Sequence, residues 1–409
     1  MTAQQEHAAP AATGAPGRGA VLIGSPLLLV GVALAAANLR PAITSVGPLL
    51  GEVRRSLGAS EVWASVLTAV PTICFGVAAA AVPVLARRLG LNKAVSLALA
   101  LLTAGLILRV FGGAAVVLGG TFVAAGGIAI GNVLVPVVVK QAFPDRVGTV
   151  TAVYTAALMA GGGTAAAATP WLERWIGDWR VTLASWAVLS VAALLVWSVA
   201  ARRTAEGTAA QTAAASPAEE SRSLLRSPLA WLITVFFGLQ AGASYILMGW
   251  VAEVWVSEGA SKSTAGLLLG LLAIAAFPTT MVLVPMAMRR ASQSWWVVGL
   301  LGVQLLGALG LLISPASVPW LWAALLGGGM GVFPLSLGLL VLRARSVADT
   351  ARLSAMTQGF GYVIAFGGPF LFGLLHQSTG SWTLPLLMLL AVLAVDMVLG
   401  YIAGRPKHV

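Results

Sequence analysis

The sequence has very little charge for its length. Only 9% of its 409 residues are Asp, Glu, Lys or Arg, whereas 59% are hydrophobic, and the mean hydropathy is +0.93. Soluble globular chains carry about 25% charged residues, so this composition does not supply a water-exposed surface. Most apolar residues must face lipid instead. The composition therefore predicts an integral membrane protein.

Residues that bind metals or form disulfides are also scarce. The single cysteine, Cys74, excludes an internal disulfide and a cysteine-rich metal site, and the three histidines are too scattered for a zinc motif. No nucleotide-binding signature follows any glycine-rich run, and no dense cluster of nucleophile, base and metal ligands is present. The sequence therefore predicts no cofactor, no metal and no enzymatic activity.

Twelve apolar runs occupy most of the chain. Most are close to the ~20 residues with which a helix crosses a hydrocarbon core of about 30 Å. The predicted spans are 24–50, 61–86, 93–111, 115–139, 148–170, 180–200, 229–255, 263–288, 293–314, 318–342, 350–375 and 382–403. The sequence therefore predicts an all-α membrane protein with twelve transmembrane helices.

The chain divides into two related halves. The predicted segments are a disordered tail at 1–20, six-helix bundles at 21–200 and 228–405, a polar linker at 201–227 and a short tail at 406–409. Motifs recur at offsets of 201 to 203 residues: VPVLARR (82–88) as VPMAMRR (284–290), LGAS (57–60) as EGAS (258–261), and Gly177 with Trp179 as Gly380 with Trp382. Because matching elements keep their orientation, the halves form a parallel repeat about an axis along the membrane normal, which is typical of the major facilitator architecture.

The placement of Lys and Arg predicts the orientation. Of 24 such residues, 17 lie on the side of the amino terminus and five on the opposite side. A Lys/Arg excess marks the cytoplasmic face, so the tails and the linker are expected in the cytoplasm and the protein in the plasma membrane. The net charge of +11 is explained by this topology, and no nucleic acid partner is expected.

Arg40 is the most informative residue, because it lies within the first apolar run, close to Asn38 and Thr44. A charged side chain at this depth is expected to face protein or a water-filled cavity. The prediction is a cation on a transport pathway that attracts a carboxylate, a nitro group or a small anion. The alternative is a structural arginine held by helix carbonyls or by an acid elsewhere.

The seventh span repeats this pattern, since Gln240 and Ser244 stand 200 residues after Arg40 and Thr44. Polar residues at corresponding depth in both halves suggest a shared site, although hydrogen bonds that only pack helices are the alternative. Further candidate binding residues are Asn132, Tyr154, Tyr245, Gln358 and Tyr362. Two intramembrane or interfacial carboxylates, Asp396 and Glu253, are candidates for coupling to an ion; whether a proton or another ion is coupled is left open.

Glycine-rich runs lie inside the spans at 126–131, 161–163 and 327–331. In membrane helices, small residues let neighbouring backbones approach closely. These runs are therefore predicted to be helix contacts at which the bundle can rock.

Several segments resemble the cyanate permease and nitroimidazole transporter family of the major facilitator superfamily. They are ANLRPAITSVGPLL (37–50), GIAIGNVLVPVVVKQAFP (127–144), GLQAGASYILMGW (238–250) and ARLSAMTQGFGYVIAFGGPFLFGLLHQSTGSW (351–382). The resemblance implies a central cavity between two six-helix bundles, alternating access, and small substrates such as cyanate or nitroimidazole-like compounds. It also implies that Arg40 is a pathway residue.

The expected function is that of a secondary transporter for a small polar or anionic organic solute. One alternative is the efflux of a neutral heteroaromatic drug or metabolite, in which Arg40 hydrogen-bonds a nitro or carbonyl group. An alternative of another class is a sensor that binds solute without moving it. The expected partners are the solute, the bilayer and an undetermined coupling ion.

Overall fold

The computed structural model describes residues 24–205 and 224–409, so the predicted amino-terminal tail and most of the predicted linker lie outside the described residues. Within these ranges the regular elements are helices, and twelve are long and apolar enough to cross a membrane. In the first half the spans are Pro26–Ser56, Glu61–Leu89, Leu91–Leu108, Ala114–Ala142, Pro144–Ile176 and Trp179–Ala201. In the second half they are Pro228–Gly249, Lys262–Met288, Ser294–Ile313, Pro319–Arg343, Asp349–Thr379 and Thr383–Ala403. The predicted all-α fold with twelve spans is confirmed.

Several spans are interrupted. The first contains the helix Pro26–Asn38, the short helix Pro41–Thr44, the 3-10 turn Gly47–Leu49 and the helix Leu50–Ser56. Proline has no amide hydrogen and cannot continue the hydrogen bonding of a preceding helix, which explains why a new segment begins at Pro41. The eighth span contains a π-helical turn at Thr279–Leu283, directly after Pro278, and the tenth breaks between Gly329 and Val332.

The internal repeat predicted from the motifs is visible in the backbone. A seven-residue helix, Leu50–Ser56, ends the first span, and its counterpart Val251–Ser257 follows the seventh span at an offset of 201. Two glycine pairs at the predicted offsets take positive φ in both halves: Gly58 (57°) with Gly259 (94°), and Gly177 (75°) with Gly380 (64°). The two halves therefore share their turns as well as their spans.

The halves meet along two seams, one between the second and eleventh spans and the other between the fifth and eighth. Glycines allow the backbones to touch along both. A Cβ added to Gly270 would lie 3.1 Å from the carbonyl oxygen of Gly163, and one added to Gly76 would lie 3.3 Å from that of Gly359. Because lipid supplies no hydrophobic force between helices, such close packing holds them together. Gly163, which belongs to the predicted run 161–163, is thus a point of close approach between the halves.

Gly126 and Gly127, neighbours in the fourth span, allow this packing to be tested. A Cβ on Gly127 would lie 2.5 Å from the carbonyl oxygen of Ala98 and 2.6 Å from the amide nitrogen of Leu102, whereas one on Gly126 would meet nothing within 4 Å. We expect Gly127→Ala to lower the midpoint of thermal unfolding, because overpacking costs about 1–3 kcal/mol. The matched control, Gly126→Ala, should keep or raise it, since alanine favours a helix by about 1 kcal/mol. Unfolding is followed by tryptophan fluorescence in detergent, and equal midpoints in the two variants would contradict the close packing.

Candidate functional site

A cavity of about 360 Å³ lies between the two halves and extends from mid-depth toward the Lys/Arg-rich face. Its volume is within the range of about 300–1,000 Å³ that ligand pockets occupy. Its wall includes eight of the ten predicted binding residues: Arg40, Thr44, Asn132, Tyr154, Ser244, Tyr245, Gln358 and Tyr362. The structure therefore brings most of the predicted residues together, while their role in binding stays a prediction.

Arg40 lies where the first span is broken. It follows the end of the helix Pro26–Asn38 and directly precedes Pro41. Its side-chain stem packs on Gly162 of the fifth span, where an added Cβ would lie 2.9 Å from the Cβ of Arg40. Its Nη1 donates to the sulfur of Met248, in the seventh span, at 3.0 Å. Arg40 thus contacts both halves of the protein.

The charge of Arg40 has no counter-charge in the cavity. It is the one charged side chain among the described residues that line the wall, and none of the ion pairs formed by described residues involves it. A thioether is a weak acceptor, so Met248 compensates the charge poorly. Tyr154, Tyr245 and Tyr362 line the same cavity, and an uncharged phenol does not balance the charge of the guanidinium. A cation in this setting favours a ligand that is anionic or has electron-rich oxygens.

Aromatic rings from both halves form one wall of the cavity. Phe75 of the second span stacks on Tyr362 of the eleventh, with centroids 5.2 Å apart and planes at 28°. It also contacts Tyr245 at 6.3 Å, and Phe237 meets Tyr362 edge-on at 5.1 Å. Such offset and edge-to-face pairs are favourable arrangements of aromatic rings. The cluster offers flat apolar surface beside a planar guanidinium, which suits a planar ligand.

The remaining polar side chains of the cavity wall differ in how many of their hydrogen-bonding groups have a partner within the protein. The hydroxyl of Thr44 donates to the carbonyl of Gly162 at 2.9 Å, so it joins the first and fifth spans. The hydroxyl of Tyr154 donates to Oδ1 of Asn132 at 3.4 Å. Gln358 donates from Nε2 to the hydroxyl of Ser354 at 2.7 Å. The Nδ2 of Asn132 also donates to the carbonyl of Ile128 at 3.1 Å, so Thr44 and Asn132 both take part in contacts within the protein. Gln358 lies at the wall, where a ligand can contact its side-chain amide.

Four predicted residues do not reach the cavity. Asn38 donates to the carbonyls of Leu34 at 2.8 Å and Leu189 at 3.1 Å, and so joins the first and sixth spans. Gln240 and Asp396 are fully buried inside the second half, and their side chains have no hydrogen-bond partner among the described residues. Glu253 lies near the opposite face of the protein, in the helix that follows the seventh span. Ion coupling by Asp396 or Glu253 stays a prediction.

Several wall residues were not predicted from the sequence. They include Phe75, Met248, Phe333 and Thr280. Phe75 stands in the apolar run ICFGVAAAA (73–81), where a ring that faces a cavity looks the same as one that faces lipid. Thr280 is presented by the π-helical turn of the eighth span, and such turns are frequent at functional sites. The proline at 278 is the only local signal for that turn.

The face opposite the cavity mouth is closed by buried apolar side chains of both halves and by polar contacts between the halves. Lys262 of the eighth span forms an ion pair with Glu52 of the first. Arg174 of the fifth span donates to the hydroxyl of Ser263 in the eighth at 2.7 Å. The cavity thus extends toward one face while the other face is shut.

Comparisons with known proteins agree with this architecture. A family model described as the Major Facilitator Superfamily matches residues 27–366. The chain is 35% identical over 385 residues to an uncharacterized transporter, YycB, of Bacillus subtilis (strain 168), which covers 93% of this chain and 94% of that protein. It is 32% identical to the 2-nitroimidazole transporter of Escherichia coli (strain K12), over 94% of this chain and 96% of that one. It is also 32% identical to the cyanate transport protein CynX of the same organism, over 87% and 90%.

Solved structures share the fold. A bacterial homolog of the human lysosomal transporter Spinster, in an inward-facing and occupied conformation, gives a TM-score of 0.72 at 13% identity, over 94% of this chain and 98% of that one. A D-xylose-proton symporter gives 0.70 at 13% identity, over 93% and 98%. At this identity the likeness concerns the fold alone. The resemblance inferred from the sequence motifs is confirmed.

Arg40 and Arg109 provide a test of whether Arg40 is structural. Arg109 is fully buried at the end of the third span, and its Nη1 donates to the carbonyl of Ala42 at 2.7 Å. We expect Arg109→Met to destabilise the protein, since each lost hydrogen bond to a charged group is worth about 1.5–3 kcal/mol. Arg40→Met should leave the midpoint of thermal unfolding unchanged or raise it, because it removes an uncompensated charge. Equal losses in the two variants, measured in detergent, would make Arg40 a structural residue.

Proposed function

The chain belongs to the Major Facilitator Superfamily, and from this premise we propose that it is a secondary transporter that moves a small organic solute across the plasma membrane by alternating access. The solute is anionic or carries electron-rich oxygens, and it resembles cyanate or a nitroimidazole. Relatives that each align with most of the chain are a 2-nitroimidazole transporter and a cyanate transport protein. Their names support this solute class.

The observation that carries the proposal is the uncompensated charge of Arg40 in the central cavity. A guanidinium is a rigid planar fork that matches carboxylate-like groups with two hydrogen bonds. Beside it, Tyr362 and Phe75 present stacked rings, against which a flat solute can pack. A solute bound to Arg40 would lie between the two halves, since the side chain touches Gly162 of one half and Met248 of the other.

The position of this solute site between the two halves supports transport by rocking of residues 21–200 against residues 228–405. The cavity extends toward the Lys/Arg-rich face, which the distribution of charge assigns to the cytoplasm. The opposite face is held shut by Lys262 with Glu52 and by Arg174 with Ser263. Opening that face requires these contacts to separate, while the cavity mouth closes. At the glycine contacts along the seams, such as Gly270 on Gly163, no side chains interlock, so the helices can move against each other there.

Efflux of a neutral heteroaromatic compound is a second candidate, because most of the cavity wall is apolar or aromatic. In that case Arg40 donates hydrogen bonds to a nitro or carbonyl oxygen and balances no charge. The two candidate functions differ in whether Arg40 must balance a negative charge or donate hydrogen bonds from its planar group. A lysine supplies a point charge but not the planar fork, so Arg40→Lys should retain more transport of a small anion than of a nitroaromatic compound.

Uptake into proteoliposomes tests the proposal. Labelled cyanate and 2-nitroimidazole are offered to the wild type, Arg40→Lys and Arg40→Ala, with and without a pH gradient. We expect Arg40→Ala to lower the uptake rate of the transported solute by about tenfold or more, because the lost interaction is worth about 1.5–3 kcal/mol and 1.4 kcal/mol corresponds to tenfold.

The matched control is Arg146→Ala, which removes an exposed cation at the Lys/Arg-rich face and should transport like the wild type. Full uptake by Arg40→Ala would contradict the assignment of Arg40 as a solute-binding residue. Asn132, Gln358 and Tyr362 would then be the next residues to substitute. Absence of uptake of either solute by the wild type would count against the proposed solute class.

A further inference from the structure

A second cluster of titratable side chains lies at the closed face, apart from the central cavity. Glu61 begins the second span, and His376 lies in the last turn of the eleventh. Glu253 lies in the first turn of the helix Val251–Ser257. These three residues surround a small pocket, together with Arg54 and Trp382. Glu61 and Arg54 belong to the first half and the others to the second, so closure of this face assembles the cluster.

The contacts within the cluster cross the junction between the halves. Arg54 Nη1 lies 3.0 Å from Glu61 Oε1, and His376 Nε2 lies 4.0 Å from the same oxygen. The imidazole of His376 is stacked on the indole of Trp382, with centroids 3.6 Å apart and planes at 4°. This stacking orients the ring toward Glu61. The pair between His376 and Glu61 is ionic only while the imidazole is protonated.

Glu253 meets the other half of the protein directly. Its carboxylate packs against Gly51 of the first span so closely that an added Cβ at Gly51 would overlap it. Burial raises the pKa of Glu253 above the usual range of a glutamate, although a backbone hydrogen bond at Gly51 and the charges of Arg54, Arg55 and His376 oppose this effect. Because this contact joins the two halves, separation of the halves would return the carboxylate to water.

Unsatisfied polar atoms accompany these contacts. Glu61 Oε2, His376 Nδ1 and Trp382 Nε1 are buried and have no hydrogen-bond partner among the described residues. The other charged groups around the cluster are engaged: Lys262 with Glu52, and Arg55 with the carbonyl of Gly51 at 3.2 Å. Glu61 is itself paired with Arg54, so Glu253 is the carboxylate of the cluster that forms no ion pair with another described residue.

We propose that Glu253, in the pocket it shares with Glu61 and His376, forms a proton-binding site that links closure of this face to the pH on its own side. This proposal rests on the proposed alternating access and orientation, in which the face is external. A carboxyl that loses water on closing has a higher pKa when closed than when open, so the closed state binds more protons. Acidification therefore favours the closed face, and a rise in pH through the raised pKa of Glu253 favours the open one.

Cysteine labelling measures the opening. Leu67 is 3% exposed and lies in the second span, between the cluster and the central cavity. In a Cys74→Ala background, Leu67→Cys is reacted with a membrane-impermeant maleimide in right-side-out vesicles from pH 5.5 to 8. Each rate is divided by that of Ser317→Cys, which lies in an exposed loop and corrects for thiol ionisation. We expect the corrected rate to rise with pH, by up to about tenfold for each pKa unit that closing adds.

Substitutions test whether the pH dependence of the labelling rate arises from the cluster. Glu253→Gln should flatten the pH profile, since an amide cannot exchange the proton of the carboxyl group. Glu258→Gln, an exposed control next to the same short helix, should keep the wild-type profile.

Two outcomes would overturn the proposal: a corrected rate that does not depend on pH in the wild type, and an unchanged slope in Glu253→Gln. Labelling of Ser317→Cys and a monodisperse elution profile show that each variant is folded. The labelling experiment needs no solute, so a negative result would contradict the pH-dependent gate and leave the proposed solute class unaffected. A pH-dependent gate with no uptake of cyanate or nitroimidazole contradicts only the solute class.

Discussion

Hydrocarbon can neither donate nor accept hydrogen bonds, and the layout of this protein follows from that constraint. Each span bonds its backbone within itself, and irregular backbone is tolerated only where protein or water surrounds it. The first span breaks at Arg40 and Pro41, the eighth has a π-helical turn at Thr279–Leu283, and the tenth breaks between Gly329 and Val332. All three interruptions border the central cavity. The cavity wall is thus the place where regular helix gives way to groups that a solute can contact.

Two buried arginines, Arg109 and Arg343, and the half-buried Arg40 show two different uses of a cation. Arg343 donates to the carbonyls of Ala403 at 3.0 Å and Gly404 at 2.9 Å, and Arg109 donates to that of Ala42. Both replace water by fixed backbone oxygens and tie helix ends together. Arg40 has a weakly accepting sulfur as its hydrogen-bond partner. An arginine at the centre of a helix costs roughly 2.5–3.5 kcal/mol on insertion scales, so a cation without such oxygens fits a role in binding better than one in folding.

The contacts between the halves also fall into two kinds. Along the seams, glycines such as Gly163 and Gly270 bring backbones together without side chains that would interlock. At the closed face, Leu49 and Leu50 of the first span pack in one buried cluster with side chains of the second half, and polar contacts such as Lys262 with Glu52 are added to it. Partly exposed ion pairs of this kind are worth about 0–1 kcal/mol each, because water replaces them readily. Breaking the ion pairs therefore adds little to the cost of opening the closed face, and the buried apolar cluster accounts for most of that cost.

Apolar runs and a constant offset were enough to predict twelve spans in two related halves. A helix in lipid needs about 20 apolar residues, and the repeat keeps its turn glycines, such as Gly177 and Gly380. Polar residues inside the runs marked much of the cavity wall, including Arg40, since lipid tolerates them poorly. Only the tertiary structure decided which side chains meet. Asn38 turns away from the cavity, and Phe75, which has no polar signal, stacks on Tyr362. The rotation of each helix about its axis is set by packing against its neighbours, and an apolar run does not encode it locally.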